Sequence, residues 1–343
     1  GAVRTAPYCR AFDRIVIAYT IHHQECAGAR AKVEVFDADK PERILANAEH
    51  VLTASPAGQH GVLALDPPVR SGVVRLVVRV SGVAEDMVEG NNQATLHTLI
   101  VNEPIKVLYV DSFPRPEFRH VKMSLGQDPN IALTALNRMP GGSWLLQGPS
   151  LLENPEKGFP VEIGELLKYD VLVLGSISHG YFSADDRFEE RKLNNIARFV
   201  SGRGGGLIVL GGVRSYGHGQ YQGSPLEPLF PFELLEPGKE PFQAEEIRAE
   251  LTESGRFHPV LQLADTVEEN SKLWPTMPEL MGCNVVGKAR PGAEVLLVSS
   301  KEMDGRKPVL LASQPYGFGR VLATTTYSTF RWRLGVPYEK GDL

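Results

Sequence analysis

The sequence contains little cysteine. Only Cys9, Cys26 and Cys283 occur, and no two of them have the spacing of a CxxC pair. This excludes the common structural zinc sites, which need closely spaced thiol and imidazole ligands, and we predict no metal and no cofactor. Cys9 and Cys26 lie in two early strand-like segments. They are either a disulfide pair, if the compartment is oxidising, or two buried thiols.

Long apolar runs and a surplus of positive charge are also missing. No apolar run approaches the roughly 18 residues that a membrane-spanning helix needs. The formal net charge is −5 and no basic stripe stands out, so we expect no nucleic-acid partner. The chain begins at Gly1, without Met or a signal peptide, and we expect it to be a piece of a longer protein.

The pattern of apolar residues predicts two domains, residues 1–102 and 104–343. Short β-branched or alternating runs, separated by turn signals, fill the first part. This pattern is typical of an antiparallel sandwich of the Ig-like kind. The runs cover residues 14–21, 31–36, 73–80 and 97–101.

The second part alternates strand-like and helix-like segments, which predicts an α/β domain. Residues 171–174 and 207–210 are wholly apolar and bounded by glycine, as expected of parallel strands buried on both faces. Residues 314–319 predict a hairpin, so antiparallel strands join late in the chain. We predict a flavodoxin-like fold with a mostly parallel sheet. Its other strands are expected at residues 105–110, 130–139, 293–299, 308–313 and 319–325, and its helices at 117–125 and 161–168.

Four segments of this part resemble a bacterial family of glutamine-amidotransferase-like domains. Members are often large membrane-anchored proteins that carry a von Willebrand factor A domain, some are of the aerotolerance type, and an Ig-like segment commonly precedes the domain. The resemblance implies a class I amidotransferase-like sheet in the soluble part of a membrane-anchored protein. It covers roughly residues 70–335 and rests on residues 106–119 (KVLYVDSFPRPEFR), 204–217 (GGGLIVLGGVRSYG), 223–226 (GSPL) and 329–333 (TFRWR).

The resemblance does not extend to catalytic residues. Active amidotransferases of this superfamily place a cysteine on a tight turn between a strand and a helix, and a late His–Glu pair activates it. Here Gly211 and Gly212 follow the strand, Cys283 lies far away in sequence, and the last histidine is His258. A thiolate nucleophile needs both an activating base and donors for the oxyanion. We therefore predict a non-catalytic module for protein interaction or small-ligand sensing.

The alternative is a hydrolase or amidotransferase that uses Ser215, with His179 or His218 as the base. Residues 213–217 (VRSYG) resemble the nucleophile elbow GxSxG, but Val213 stands where the first glycine is needed. No carboxylate is clearly placed in the sequence to orient either histidine. The simpler interpretation is that Ser215 makes a hydrogen bond within its loop.

Polar side chains follow three of the predicted strands. Because the carboxyl ends of parallel strands meet at one edge of a sheet, we predict a binding rim there for a small anionic ligand or a protein partner. Its two arginines suit a carboxylate or phosphate, or else they pair with the aspartate only to fix the loops. The rim consists of Asp111, Arg115, Ser178, His179, Arg214 and Tyr216.

A separate candidate is the segment Arg331, Trp332 and Arg333. Arginine and tryptophan are enriched at protein interfaces, which favours an interaction segment. The alternative is that Trp332 packs over the edge of the sheet.

Overall fold

The structure is a computed structural model that describes residues 2–23, 26–54, 58–66, 71–83, 91–182, 189–236, 242–264 and 266–335. The chain divides into two compact units, residues 1–104 and 105–343. Each unit encloses its own hydrophobic core.

The first unit, where it is described, consists of strands in two sheets. Alternation along the strands produces them: in the third strand Ile15, Ile17, Tyr19 and Ile21 are buried while the residues between them face outward. The strands are β1 (Ala2–Thr5), β2 (Tyr8–Arg10), β3 (Ile15–Ile21), β4 (Arg30–Asp37), β5 (Lys40–Val51), β6 (Gln59–Leu65), β7 (Gly72–Ser81) and β8 (Gln93–Val101).

These strands form a three-stranded sheet in the order β1-β3-β6 and a five-stranded sheet in the order β2-β8-β7-β4-β5. Side chains from both sheets share one core, which includes Ile17, Val33, Val35 and Leu76. Every pairing is antiparallel except that of β2 with β8. Cys9 and Cys26 are not joined by a disulfide.

A nine-stranded sheet organises the second unit, with the order β11-β10-β9-β12-β13-β19-β18-β17-β15, and β14 pairs separately with β16. The strands are β9 (Ile105–Asp111), β10 (Ile131–Arg138), β11 (Trp144–Gln147), β12 (Val171–Leu174), β13 (Gly206–Val209), β14 (Phe242–Gln243), β15 (Ala249–Leu251), β16 (Cys283–Asn284), β17 (Glu294–Ser299), β18 (Val309–Tyr316) and β19 (Gly319–Thr324).

The prediction of a flavodoxin-like α/β fold with a mostly parallel sheet is wrong. Strands make up 39% of the chain and helices only 21%, and the sheets are mixed. Of the eight pairings in the large sheet, four are parallel and four antiparallel. The physical reason lies in the connections. Parallel strands need long crossovers, but β10 joins β11, and β17 joins β18, through connections too short for a crossover. These pairings are therefore antiparallel, in addition to the expected β18–β19 hairpin.

The helices are few and mostly short. Only α1 and α3, of 12 and 13 residues, exceed ten residues among those described. They pack on opposite faces of the sheet: Phe118 of α1 lies against Tyr109, while Phe199 of α3 belongs to the core that contains Leu108. The helices are α1 (Pro116–Gln127), α2 (Ile163–Leu166), α3 (Glu189–Ser201), α4 (Glu253–Phe257), α5 (Val267–Leu273) and α6 (Phe330–Gly335).

Candidate functional site

The carboxyl end of β9 carries a buried, fully engaged carboxylate. Asp111 is wholly inaccessible to solvent. Its Oδ2 accepts hydrogen bonds from Tyr109 Oη (2.7 Å) and Arg115 Nε (2.9 Å), and its Oδ1 accepts one from the backbone N–H of Ser112 (2.8 Å). Burial, followed by the adjacent Asp111 charge, raises the pKa of Tyr109 far above its usual value. Tyr109 therefore stays a neutral donor, and Asp111 is held in place by three donors.

Arg115, at the N-cap position of α1, has two buried donor groups that no described residue satisfies. Its side chain is only 8% exposed. Nε is committed to Asp111, but Nη1 and Nη2 are buried and have no hydrogen-bond partner among the described residues. Burial is the largest influence and by itself would lower the pKa of Arg115, but the charge and hydrogen bond of Asp111, together with Tyr109 and Glu117, raise that pKa above its usual value. The guanidinium is therefore a fixed cation with two unused donor groups.

Arg115 is one of the residues that line a surface cavity of about 460 Å³, which we call the Arg115 pocket. It is lined by Arg115, Phe118, Arg119, His120, Lys122 and Gln147, together with two prolines. Three of these side chains are permanently cationic and none is a carboxylate. Lys122 Nζ donates to Gln147 Oε1, so one charge is already anchored at the wall. The pocket thus combines positive charge with a rigid, partly unsatisfied guanidinium.

Two further buried residues, Asn137 and Glu117, lie near the Asp111–Arg115 pair, and neither was among the predicted site residues. Asn137, which pairs in register with Asp111 at the end of β10, has a buried Nδ2 without a partner in the described part of the chain. Its place near the carboxyl end of a predicted strand was a usable signal. Glu117 is 1% exposed and accepts hydrogen bonds from Thr329 Oγ1 and from the Phe330 N–H (3.2 Å). Burial raises the pKa of Glu117, and these hydrogen bonds oppose the rise.

Arg214 lies in the loop after β13, as the rim prediction requires, but its guanidinium contacts aromatic rings. Its Cζ is 5.3 Å from the ring centre of Phe113 and 5.2 Å from that of Tyr181. Its backbone N–H donates to Ser176 Oγ (3.1 Å), and Ser112 Oγ donates to the carbonyl of Ser176. The loops after β9, β12 and β13 therefore meet, in agreement with the topological argument for a shared edge.

Ser178 and His179 follow β12 but have separate roles. Ser178 is the N-cap of a short 3₁₀ turn, His179–Tyr181, and makes no side-chain cap bond. His179 Nδ1 contacts the carboxylate of Glu189 at the start of α3. A carboxylate does therefore orient this histidine, although the sequence gave no clear sign of it.

Tyr216 and Ser215 do not line the rim. Tyr216 is 1% exposed, has a left-handed backbone (φ 55°) and donates from Oη to the Thr324 carbonyl (2.6 Å). Ser215 is also 1% exposed, and its Oγ donates to the Leu210 carbonyl (2.7 Å). Neither His179 nor His218 makes a hydrogen bond to Ser215 in the contacts described. A nucleophilic serine needs an adjacent base and an exposed hydroxyl, and this arrangement provides neither.

Cys283 is likewise unsuited to nucleophilic chemistry. It is fully buried in β16, and burial raises its pKa to about 12. The thiolate is the reactive form of cysteine, so this thiol is inert at neutral pH. Among the described residues, no group of three His, Cys, Asp or Glu side chains is placed to hold a metal ion.

The segment Arg331 to Arg333 lies in α6. Arg331 Nη1 pairs with Glu246 Oε1 (2.9 Å), and Trp332 Nε1 donates to the Pro278 carbonyl (3.1 Å). Trp332 packs edge-on against Trp274, with ring centres 5.5 Å apart. Two of the three side chains thus have internal partners. Among the described residues, the side chain of Arg333 makes one long hydrogen bond, of 3.5 Å, to Gln127 Oε1.

No known protein family matches the chain, and the search of curated proteins finds no match either. The resemblance to amidotransferase-like domains stays a prediction. None of the described helices is long and apolar enough to cross a membrane.

Proposed function

We propose that this protein is a non-catalytic binding module that senses a small ligand bearing a carboxylate or phosphate group, held in the Arg115 pocket. The observation that carries the proposal is the buried Arg115 guanidinium, whose Nη1 and Nη2 lack partners in the described chain. Leaving buried donors unsatisfied is costly, and each such case in a folded protein calls for an explanation. A bound anion would supply one.

The geometry around Arg115 favours an oxygen anion in particular. Two parallel N–H groups of a guanidinium match the two oxygens of a carboxylate or phosphate. Asp111 fixes the guanidinium through Nε, so little side-chain entropy is lost on binding. Arg119 and Lys122 add exposed positive charge at the mouth. The pocket volume of about 460 Å³ lies within the range of small-molecule sites.

The non-catalytic part of the proposal is supported by the two side chains that catalysis would most need. Ser215 is buried and bonded to a backbone carbonyl, and Cys283 is buried with a raised pKa. Glu189 orients His179, but neither His179 nor His218 makes a hydrogen bond to Ser215 in the contacts described. On the family resemblance, we further propose that the module belongs to a larger membrane-associated bacterial protein.

The test measures binding of inorganic phosphate, succinate and citrate by calorimetry and thermal shift. Arg115→Lys keeps the charge beside Asp111 but removes the forked donor pair. We expect it to weaken the preferred anion tenfold or more, since a charge-assisted contact is worth about 1.5–3 kcal/mol. Arg119→Ala should weaken it less, because Arg119 is exposed.

Arg320→Ala is the matched control, because it removes one exposed arginine on β19 that does not line the pocket. It should leave binding unchanged. If Arg115→Lys and Arg119→Ala both fold and bind every anion like the unchanged protein, the proposal fails. If only an acidic peptide binds, in an Arg115-dependent way, the pocket serves a protein partner instead of a small ligand.

A further inference from the structure

A second cavity, which we call the Trp332 cavity, is lined by Ser124 of α1 and by none of the described residues that line the Arg115 pocket. Its volume is about 440 Å³. Leu297, Leu310 and Leu322, from β17, β18 and β19, form its floor, and Trp274 and Trp332 are among its walls. The late antiparallel strands and α6 therefore build it.

The Trp332 cavity is a cleft open to solvent, and its volume lies in the range in which small molecules bind. At about 30 Å³ for each water-sized group, 440 Å³ has room for roughly 15 non-hydrogen atoms. Because the lining is mostly aliphatic and aromatic, water gains few hydrogen bonds there. The cavity is therefore suited to an apolar guest of that size.

Arg333 is the one charged residue among the described residues that line the Trp332 cavity, whose polar groups also include the buried Thr324 and Thr326. Leu297 and Leu310 are at most 2% exposed, whereas Ser124 is exposed and Arg333 is half-buried. Arg333 makes no ion pair with any described residue, and its hydrogen bond in that part of the chain is the long one to Gln127. The cavity thus has an apolar floor and, on its solvent side, a cation that is not neutralised by a described carboxylate.

From this arrangement we propose that the Trp332 cavity binds a free medium-chain carboxylate, with the hydrocarbon chain against the leucines and the head group on Arg333. A chain of ten carbons with its carboxylate has about 12 non-hydrogen atoms, which the cavity accommodates. Apolar contact supplies most of the affinity, and Arg333 selects the charged end. This site is separate from the Arg115 pocket, with which it shares no lining residue.

The experiment measures binding of decanoate and of decanol to the full chain by calorimetry, supported by intrinsic fluorescence. Fluorescence is informative because two of the three tryptophans line the cavity. We expect decanoate to bind more tightly than decanol. Arg333→Met should weaken decanoate tenfold or more and leave decanol unchanged. Leu263→Phe, which places a larger side chain at the cavity wall, should weaken both ligands.

Two matched variants separate this site from others. Arg331→Met removes the neighbouring cation, which pairs with Glu246 outside the cavity, and Arg115→Lys alters the other pocket. Both should bind decanoate normally. The inference is overturned if decanoate does not bind, if Leu263→Phe leaves its affinity unchanged, or if Arg115→Lys abolishes it. Equal binding of decanol and decanoate would overturn the role of Arg333.

Discussion

At the scale of single residues, two buried carboxylates, one at the end of β9 and one at the start of α1, differ in the groups that stabilise their negative charge. Asp111 accepts hydrogen bonds from three donors, one of them the cationic Arg115. Glu117 has only neutral donors, Thr329 and the backbone of Phe330, with Arg115 and His120 acting at longer range. Desolvation disfavours the charged form of a buried acid, and for Glu117 it outweighs the opposing contacts.

We therefore predict that Glu117 makes stability fall as the pH rises. Its folded-state pKa lies above the usual value of 4.5, so its contribution is fully present below pH 4.5 and is lost as the pH rises through the folded pKa. Each tenfold difference in proton affinity is worth about 1.4 kcal/mol. Urea unfolding between pH 4.5 and 8 should show this component in the unchanged protein and not in Glu117→Gln.

Glu162→Gln is the control for this experiment, because Glu162 is an exposed partner of Arg191. Its pH profile should follow that of the unchanged protein. Parallel profiles for Glu117→Gln and the unchanged protein would mean that Glu117 titrates normally in the folded state.

At the scale of elements, the β18–β19 hairpin depends on Gly317. This residue has φ +58°, and a methyl group there would lie 2.6 Å from Cα of Ser201 and 2.5 Å from its carbonyl oxygen. Both the left-handed backbone and the close approach to the end of α3 require glycine. The turn therefore fixes the antiparallel register of β18 and β19 and docks it onto α3.

We expect Gly317→Ala to reduce the free energy of unfolding by about 3 kcal/mol, since backbone strain and overpacking each cost about 1–3 kcal/mol. Gly305→Ala isolates the first effect, because Gly305 has φ +70° but no atom within 4 Å of the added methyl. It should cost about 1–2 kcal/mol. Equal losses in the two variants, measured by urea unfolding, would show that Ser201 moves aside without cost.

At the scale of the whole molecule, each unit has a separate core. We predict that residues 105–343 alone give a cooperative thermal transition that matches one transition of the full chain. A fragment of this size buries enough apolar surface to fold by itself. Calorimetry of the fragment and of the full chain provides the measurement. A fragment without a cooperative transition would show that the units fold only together.

Much of the local structure follows from sequence pattern. The predicted strands at residues 105–110, 130–139, 171–174 and 207–210 correspond to β9, β10, β12 and β13, because apolar runs bounded by glycine or polar residues have few other stable arrangements. The helix predicted at 117–125 is α1, and the hairpin at 314–319 is present. The helix predicted at 161–168 is reduced to the single turn of α2 (Ile163–Leu166).

The tertiary structure decided how many strand pairings are parallel or antiparallel and which side chains lie at the candidate site. The hairpin pattern predicted the antiparallel pairing of β18 with β19. Local pattern identifies a strand but not its more distant neighbours, so it did not reveal that β17 and β15 continue the sheet in antiparallel pairings. Asp111, Arg115 and Arg214 lie at one edge of the sheet, as expected from their positions at or after the ends of strands. Tyr216, which also follows β13, is buried instead. Whether a polar side chain is satisfied depends on residues distant in sequence. Only the folded chain could therefore show that Arg115 is buried beside Asp111 with two donors unused.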